Sequence, residues 1–267
     1  MMRALWTAGL GMNAQQMNVD VISNNLANVN TTSYKTERAE FKDLLYETMQ
    51  RASLMNGSGK PVNLQVGLGT TVSDTERDFS PGNMENTGNP LDFAINGEGF
   101  FTVQGPKGDT EYTKDGSFKI SVTDGGNMLT TSDGYPVLDD TGNPIVFTIN
   151  PNDLQVNENG ELGYMDPTAK TYVSLGQNLG IVQFPNKEGL LNEGGNLYSA
   201  TSASGDPVAD SEQDDKSLVM QKFLESSNVQ IVNEMVKLIV AQRAYETNSK
   251  AVQSADEMLG MANNLRR

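Results

Sequence analysis

The chain of 267 residues has no cysteine and no histidine. Those absences remove disulfides, thiolate nucleophiles, Ser-His-Asp triads, zinc sites built on His or Cys, and imidazole acid–base chemistry. Aromatic residues make up only 7%, with a single tryptophan, while 26 glycines point to abundant turns and loops. No run of 18 apolar residues exists, so no membrane span is expected. The first residues lack a basic segment followed by an apolar block, so a secretory signal peptide is not expected either. Basic residues are scarce, with 19 Lys and Arg against 34 Asp and Glu. A formal charge of −15 makes a nucleic-acid backbone an unsuitable partner. The acid is unevenly placed: residues 150–215 hold eleven acids against Lys170 and Lys187, whereas residues 1–30 hold only Arg3 and Asp20. The middle therefore reads as a solvated surface, and the N-terminus as a segment made to be covered.

What is present is a long apolar row at each end. From Asn228 to Arg267, Ile231, Leu238, Tyr245, Val252 and Leu259 recur every seven residues. Ala241, Ala255 and Ala262 follow members of that row by three, and nothing breaks the helix until Gly260. The pattern predicts an amphipathic helix about 50 Å long, with Ser226-Ser227-Asn228 as its N-cap. Residues 2–29 repeat the device, with Leu5, Met12, Val19 and Leu26 seven apart and Ala8 and Ile22 three places after row members. Two heptad helices at opposite ends predict that the termini pair as an α-helical, coiled-coil-like domain, rather than as two ordinary core helices. Their outer faces are poor in charge, so further neighbours are expected.

Between the helices the rhythm is β. Leu91–Ile95 followed by Asn96-Gly97 predicts a hairpin with Phe100–Val103. Asp115-Gly116, Asp124-Gly125, Asp133-Gly134 and Gly142-Asn143 mark turns at the spacing of an antiparallel sandwich or barrel. Short strands are expected near 127–130, 135–138, 145–149 and 180–184. Thr36–Tyr46 reads as a short helix or an extended arm, Ser199–Asp215 as a mobile connection, and Leu218–Leu224 as a strand or short helix. The fold class is therefore α+β. Its parts are a helical segment 1–35, an extended region 36–92, a central mainly antiparallel β domain 93–210, and a return strand with the C-terminal helix, 211–267.

Motif tests for small-molecule chemistry fail. Gly59-Lys60 precedes Pro61 where a phosphate loop needs Ser or Thr, and Gly97-x-Gly99 lacks the third glycine of a dinucleotide turn. Gln155–Asp166 mimics a calcium loop without its first Asp or its bidentate Glu. No cofactor and no metal are expected.

The end of the first helix, Ser23-Asn24-Asn25-Leu26-Ala27-Asn28, followed by Thr32-Ser33-Tyr34-Lys35, is richer in amides than a solvated helix face needs. This segment resembles the N-terminal signature of the flagellar axial proteins, the rod and hook subunits of bacteria, with Ser33 standing where that signature has Gly. Ser226–Val240 and Ala241-Gln242-Arg243-Ala244-Tyr245-Glu246 resemble the C-terminal signature, and Ala94–Phe101 a central family segment. The opening Met-Met-Arg-Ala-Leu-Trp, Phe41-x-Asp43-Leu44-Leu45-Tyr46 and an inserted stretch near 47–66, with Gly57, Gly59 and Pro61, narrow the likeness to the rod type.

The resemblance covers nearly the whole chain. It implies a structural subunit that self-assembles into a helical tube in the basal body and transmits torque from motor to hook. Its partners would be copies of itself, neighbouring rod and hook-side axial proteins and the surrounding ring proteins, reached by the flagellar type III export apparatus. The residues expected to carry this are the two heptad rows, the signature residues Asn24, Asn25, Leu26, Asn28, Arg243, Tyr245 and Glu246, and the insertion. Two other classes compete. A carboxylate-pair glycosidase needs only two acids, but here the acids lie mostly in turns. A binding module with helices used only for oligomerisation is harder to exclude, because exposed loops do not announce a ligand.

Overall fold

A computed structural model describes residues 2–50, 63–123, 126–165, 171–213 and 216–264. The chain is α+β, with helix α1 (Met2–Ala27), helix α2 (Ile231–Asn264) and β structure between them. Every strand pair among the described residues is antiparallel. The chain folds as two compact units. One comprises Met1–Ala27, Glu37–Arg77 and Gln230–Arg267, and the other Asn28–Thr36 and Asp78–Val229.

In the helical unit α1 and α2 run antiparallel. Gly11 faces Asn248, and fourteen residues further along α1 Asn25 bonds Glu234, fourteen residues back along α2. The facing sides carry small residues: Ala8, Ala14, Ala241 and Ala255 are all buried. Short side chains there let the backbones approach closely, and longer ones fill the space alongside. Ile22 is buried, while Leu5, Met12, Val19, Leu26, Leu238, Val252 and Leu259 are half-buried. Ile231 and Tyr245 are exposed in the single chain. The segment Thr36–Tyr46 takes the extended option. Glu37–Asp43 pairs with Thr70–Arg77 from Glu37↔Arg77 to Asp43↔Thr70, with a bulge after Glu40. Tyr46–Gln50 pairs with Leu64–Gly67 at the base of the inserted stretch. Gly57, Gly59 and Pro61 lie outside the described residues.

The β unit is built on a six-stranded sheet in the order Leu191–Gly194, Leu197–Ser199, Thr110–Thr113, Phe100–Gln104, Ile181–Gln183, Val208–Ala209. Two three-stranded sheets add Lys119–Thr123, Gly126–Thr130 and Val146–Phe147, and then Leu154–Val156, Glu161–Met165 and Tyr172–Asn178. The main core joins Phe93, Ile95, Phe101, Phe118, Leu129 and Leu162. A second, aromatic cluster sets Phe100, Tyr112, Phe184 and Tyr198 edge to face, with Tyr112 and Phe184 centroids 4.8 Å apart.

Three expectations are corrected. Asn96-Gly97 does not close a hairpin: Phe93–Asn96 pairs with Leu218–Gln221, and Phe100–Gln104 with Thr110–Thr113 and Ile181–Gln183. Phe93, Ala94 and Ile95 are all buried, so this strand is covered on both faces and leaves the sheet it was expected to edge. The C-terminal helix is not capped by Ser226–Asn228. It begins at Ile231, where Glu234 N–H donates to the Gln230 carbonyl. The stretch after Ser199 carries regular local structure where described. Ser204, fully buried, closes a turn with Thr201, and Val208–Ala209 adds an edge strand.

Candidate functional site

The amide-rich segment after α1 has a defined task within each unit. In the helical unit Asn25 is buried at the last full turn of α1. Its Oδ1 accepts from the Glu37 N–H at 3.0 Å and its Nδ2 donates to the Glu37 carbonyl at 2.7 Å. The side chain therefore stands in for a neighbouring strand's backbone at the first residue of a strand. The same Nδ2 reaches Glu234 Oε2 at 3.2 Å on α2. Glu234 is buried apart from its Lys237 contact, 2.6 Å away. One amide thus holds three elements, accepting through Oδ1 while it donates through Nδ2.

In the β unit the outgoing chain, residues 28–36, is sewn to the returning chain. Asn28 takes the Thr31 N–H and hydroxyl in a turn. Asn228 Oδ1 accepts from Thr36 N–H at 2.8 Å and Thr36 Oγ1 at 2.7 Å. Its Nδ2 donates to the carbonyls of Asp78 and Ser80. The amide expected to cap α2 is consumed here, which is why the helix starts later. Ser33 adopts φ 55°, the left-handed conformation that a glycine would occupy without cost. Its N–H donates to the Glu225 carbonyl and its hydroxyl to the Lys114 carbonyl, both at 2.8 Å, and these bonds offset the strain.

Beneath this seam lie two lysines. Lys35 is fully buried, with Nζ 2.6 Å from Glu225 Oε1 and 2.9 Å from the Ser80 carbonyl. The same Glu225 oxygen accepts from Gly82 N–H at 2.7 Å. Lys114, also buried, donates to the Gly97 carbonyl at 3.0 Å and sits 5.2 Å above the Phe100 ring. Burial, and secondarily the Lys35 charge, lower its pKa to about 8. Nothing in the sequence marked Lys35 or Glu225 as partners. A lone lysine after an aromatic reads as surface, and their separation along the chain hides the pair.

The arrangement can hold and orient polypeptide. Among the described residues no group of three carboxylates is placed to hold a metal ion. On α2, Arg243, Tyr245 and Glu246 are exposed, and Tyr245 and Glu246 line a cleft of about 460 Å³ with Gln16, Val19 and Gln242. Asn24 is exposed beside the buried Asn25. Apolar side chains lie on the outer faces of both helices: Trp6 is 65% exposed and Val232 74%, with Met235, Val236, Ile239 and Val240 also open.

Comparison with known proteins assigns both ends and the middle. Residues 5–35 match the family described as flagella basal body rod protein. Residues 94–164 match the flagellar hook protein FlgE/F/G D1 domain, and residues 220–265 the flagellar basal body rod FlgEFG protein C-terminal family. The flagellar basal-body rod protein FlgG of Borreliella burgdorferi is 46% identical over 270 residues, covering all of both chains. The chain belongs to the flagellar basal-body rod protein family. Relatives of the same name in Agrobacterium fabrum and Bacillus subtilis are 42% and 36% identical, over 96% and 100% of this chain and 97% and 100% of theirs. In this rod protein the N-terminal match contains α1 from Leu5 on, Asn25 included, and the seam residues Asn28, Ser33 and Lys35. The C-terminal match contains Glu225, Asn228 and α2. Most of the side chains that meet in the seam and at Asn25 thus come from the two terminal family segments, and the relatives are named flagellar basal-body rod proteins.

Proposed function

We propose that this rod protein is a subunit of the distal part of the flagellar rod, assembling with copies of itself into a helical tube that carries torque from motor to hook. In this reading α1 and α2 line the tube, their heptad rows packing knobs-into-holes as a coiled coil. The β unit faces outward. The observation that carries the reading is the apolar outer face of the helices, above all Val232, Val236 and Val240, which the single chain leaves in water. Burying each such side chain between subunits contributes about 1.5–3 kcal/mol. A heterologous contact between these faces and another copy propagates as a helix instead of closing. The strand pair Tyr46–Gln50 and Leu64–Gly67 carries further exposed apolar side chains, Tyr46, Met49 and Leu64, suited to bracing a neighbouring copy. Other rod and hook-side axial proteins would meet the two tube ends, ring proteins would surround the β units, and the type III apparatus would deliver the chain.

The test is assembly itself. Concentrated wild-type chain should form tubes in negative-stain electron micrographs. Val236→Glu with Val240→Glu should remain small in sedimentation while its β unit melts as in wild type. Tubes of unchanged yield from that double variant would sink the reading.

A further inference from the structure

A pocket of about 250 Å³ opens on the β unit, lined by Glu111, Glu193, Asp133, Lys107, Tyr135 and Leu197, with Pro106 and the turn glycines 194 and 195 completing the wall. Glu111 decides its character. The residue is 6% exposed, and its Oε2 has no hydrogen-bond partner among the described residues. Its carboxylate is pressed against Gly105, where an added Cβ would fall within 2.3 Å of Oε1. Burial and the neighbouring Glu193 hold the Glu111 carboxyl above the usual range, and Lys107 only partly opposes them. A hollow beside the pocket shares Asp133, Gly195 and Leu197 and adds Asp115, whose carboxyl is also raised by burial. An unpaired, buried carboxylate among further carboxylates is costly, and a cation in the pocket would offset that cost because the charge is spread over both oxygens.

The chemistry narrows the cation. No three carboxylates here are close enough to cage a metal ion. The walls offered by Tyr135, Pro106 and Leu197 are flat and apolar, and the acceptors are carboxylates. A guanidinium matches both: it is planar, weakly hydrated, forks onto carboxylates and stacks on rings. The source also narrows. Residues 78–229 hold 23 acids, seven lysines and no arginine, so the β unit of a second copy brings repulsion and no guanidinium. We propose that this pocket receives an arginine side chain presented by another polypeptide chain; the seven arginines of this chain all lie outside residues 78–229, so a second copy can offer one only from outside its β unit. The inference goes beyond tube assembly and does not rest on it, since the pocket lies wholly within the β unit.

The experiment uses the full-length ¹⁵N-labelled chain below its assembly concentration, titrated with N-acetyl-arginine amide. Saturable amide shifts are expected at Lys107, Glu193, Gly194 and Gly195. N-acetyl-citrulline amide, the neutral isostere, should produce none. Glu111→Gln should weaken binding about tenfold or more, the loss of one charge-assisted contact. Glu193→Gln, a more exposed change, should also weaken it, while Glu161→Gln in a separate cleft should not. Equal shifts with citrulline, equal affinity for N-acetyl-lysine amide, or unsaturable shifts spread over all acidic surfaces would each overturn the proposal. So would unchanged affinity in Glu111→Gln and Glu193→Gln. Tube formation is read separately, so failure of one leaves the other standing.

Discussion

Lys35 and Glu225 stand 190 positions apart in sequence and meet at 2.6 Å with about 1% and 2% of their side chains exposed. Each charge has the other as its counter-ion, the Ser80 carbonyl and the Gly82 N–H add backbone bonds, and the buried Lys114 amine feels both charges. Removing one partner strands the other in the interior. Glu225→Ala or Lys35→Ala should each destabilise the β unit by about 3–5 kcal/mol in urea titrations. The paired change Lys35→Met with Glu225→Leu should recover most of that loss. A single variant that unfolds at the wild-type midpoint would refute the account.

Asn25 admits a sharper substitution. Asn25→Asp replaces the donating Nδ2 by an oxygen that faces the Glu37 carbonyl and the Glu234 carboxylate. The expected loss is about 3 kcal/mol, greater than for Asn25→Ala, because repulsion adds to the lost bonds. Thermal unfolding followed at the helical band separates the two, and an Asp variant as stable as the Ala variant would contradict it.

The lowered pKa of Lys114 has a signed consequence. In the folded state the amine releases its proton near pH 8, while in the unfolded chain it holds the proton to about pH 10.4. Between those values the unfolded state binds more protons, so this group makes stability rise with pH. Below pH 8 the full penalty of the buried charge is present. The wild-type unfolding free energy, minus that of Lys114→Met, should therefore increase by about 2–3 kcal/mol from pH 7.5 to 10. A flat difference would mean the amine is not depressed.

Ser33 predicts a near-cancellation. Ser33→Gly relieves the left-handed strain, worth about 1–2 kcal/mol, and loses the hydroxyl bond to the Lys114 carbonyl, worth about 1 kcal/mol. Its net effect should stay within about 1 kcal/mol in denaturant titrations. Ser33→Val keeps the strain, worsens it by β-branching and loses the bond, so it should cost about 2 kcal/mol or more. A Gly variant more damaged than the Val variant would argue against this balance.

The two helices and the antiparallel character of the middle were legible because periodicity and turn residues are local signals. The row Leu5, Met12, Val19, Leu26 is half-buried, and the fully buried positions of α1 lie beside it at Ala8, Ala14, Val21, Ile22 and Asn25. What escaped was everything set by distant partners. Asn96-Gly97 has the composition of a hairpin turn, yet the strand before it takes its partner from residues 218–221. Asp115-Gly116 reads as a turn that needs a flexible glycine. Gly116 is instead required by space, since an added Cβ would fall 1.8 Å from the Phe93 carbonyl oxygen. The heptad rows also leave Ile231 and Tyr245 in solvent, because in a lone pair the small residues Ala241 and Ala255 take the contact. The amide cluster announced itself by composition, but its targets, Glu37 and Glu234, could not be read from it.

The pairing of α1 with α2 also fixes an order of events. Asn25 and Glu234 are 209 residues apart, so the first helix to leave any channel or ribosome has its partner among the last residues to follow. Until then α1 lacks its partner helix, and most of a helix's stability in a protein comes from the packing of its apolar face. The helical unit is thus a clasp whose second half arrives more than two hundred residues after the first: a chain that stops before Ile231 leaves α1 without α2. Closing so long a loop costs entropy that grows only slowly with its length, so the delay is chiefly one of sequence order.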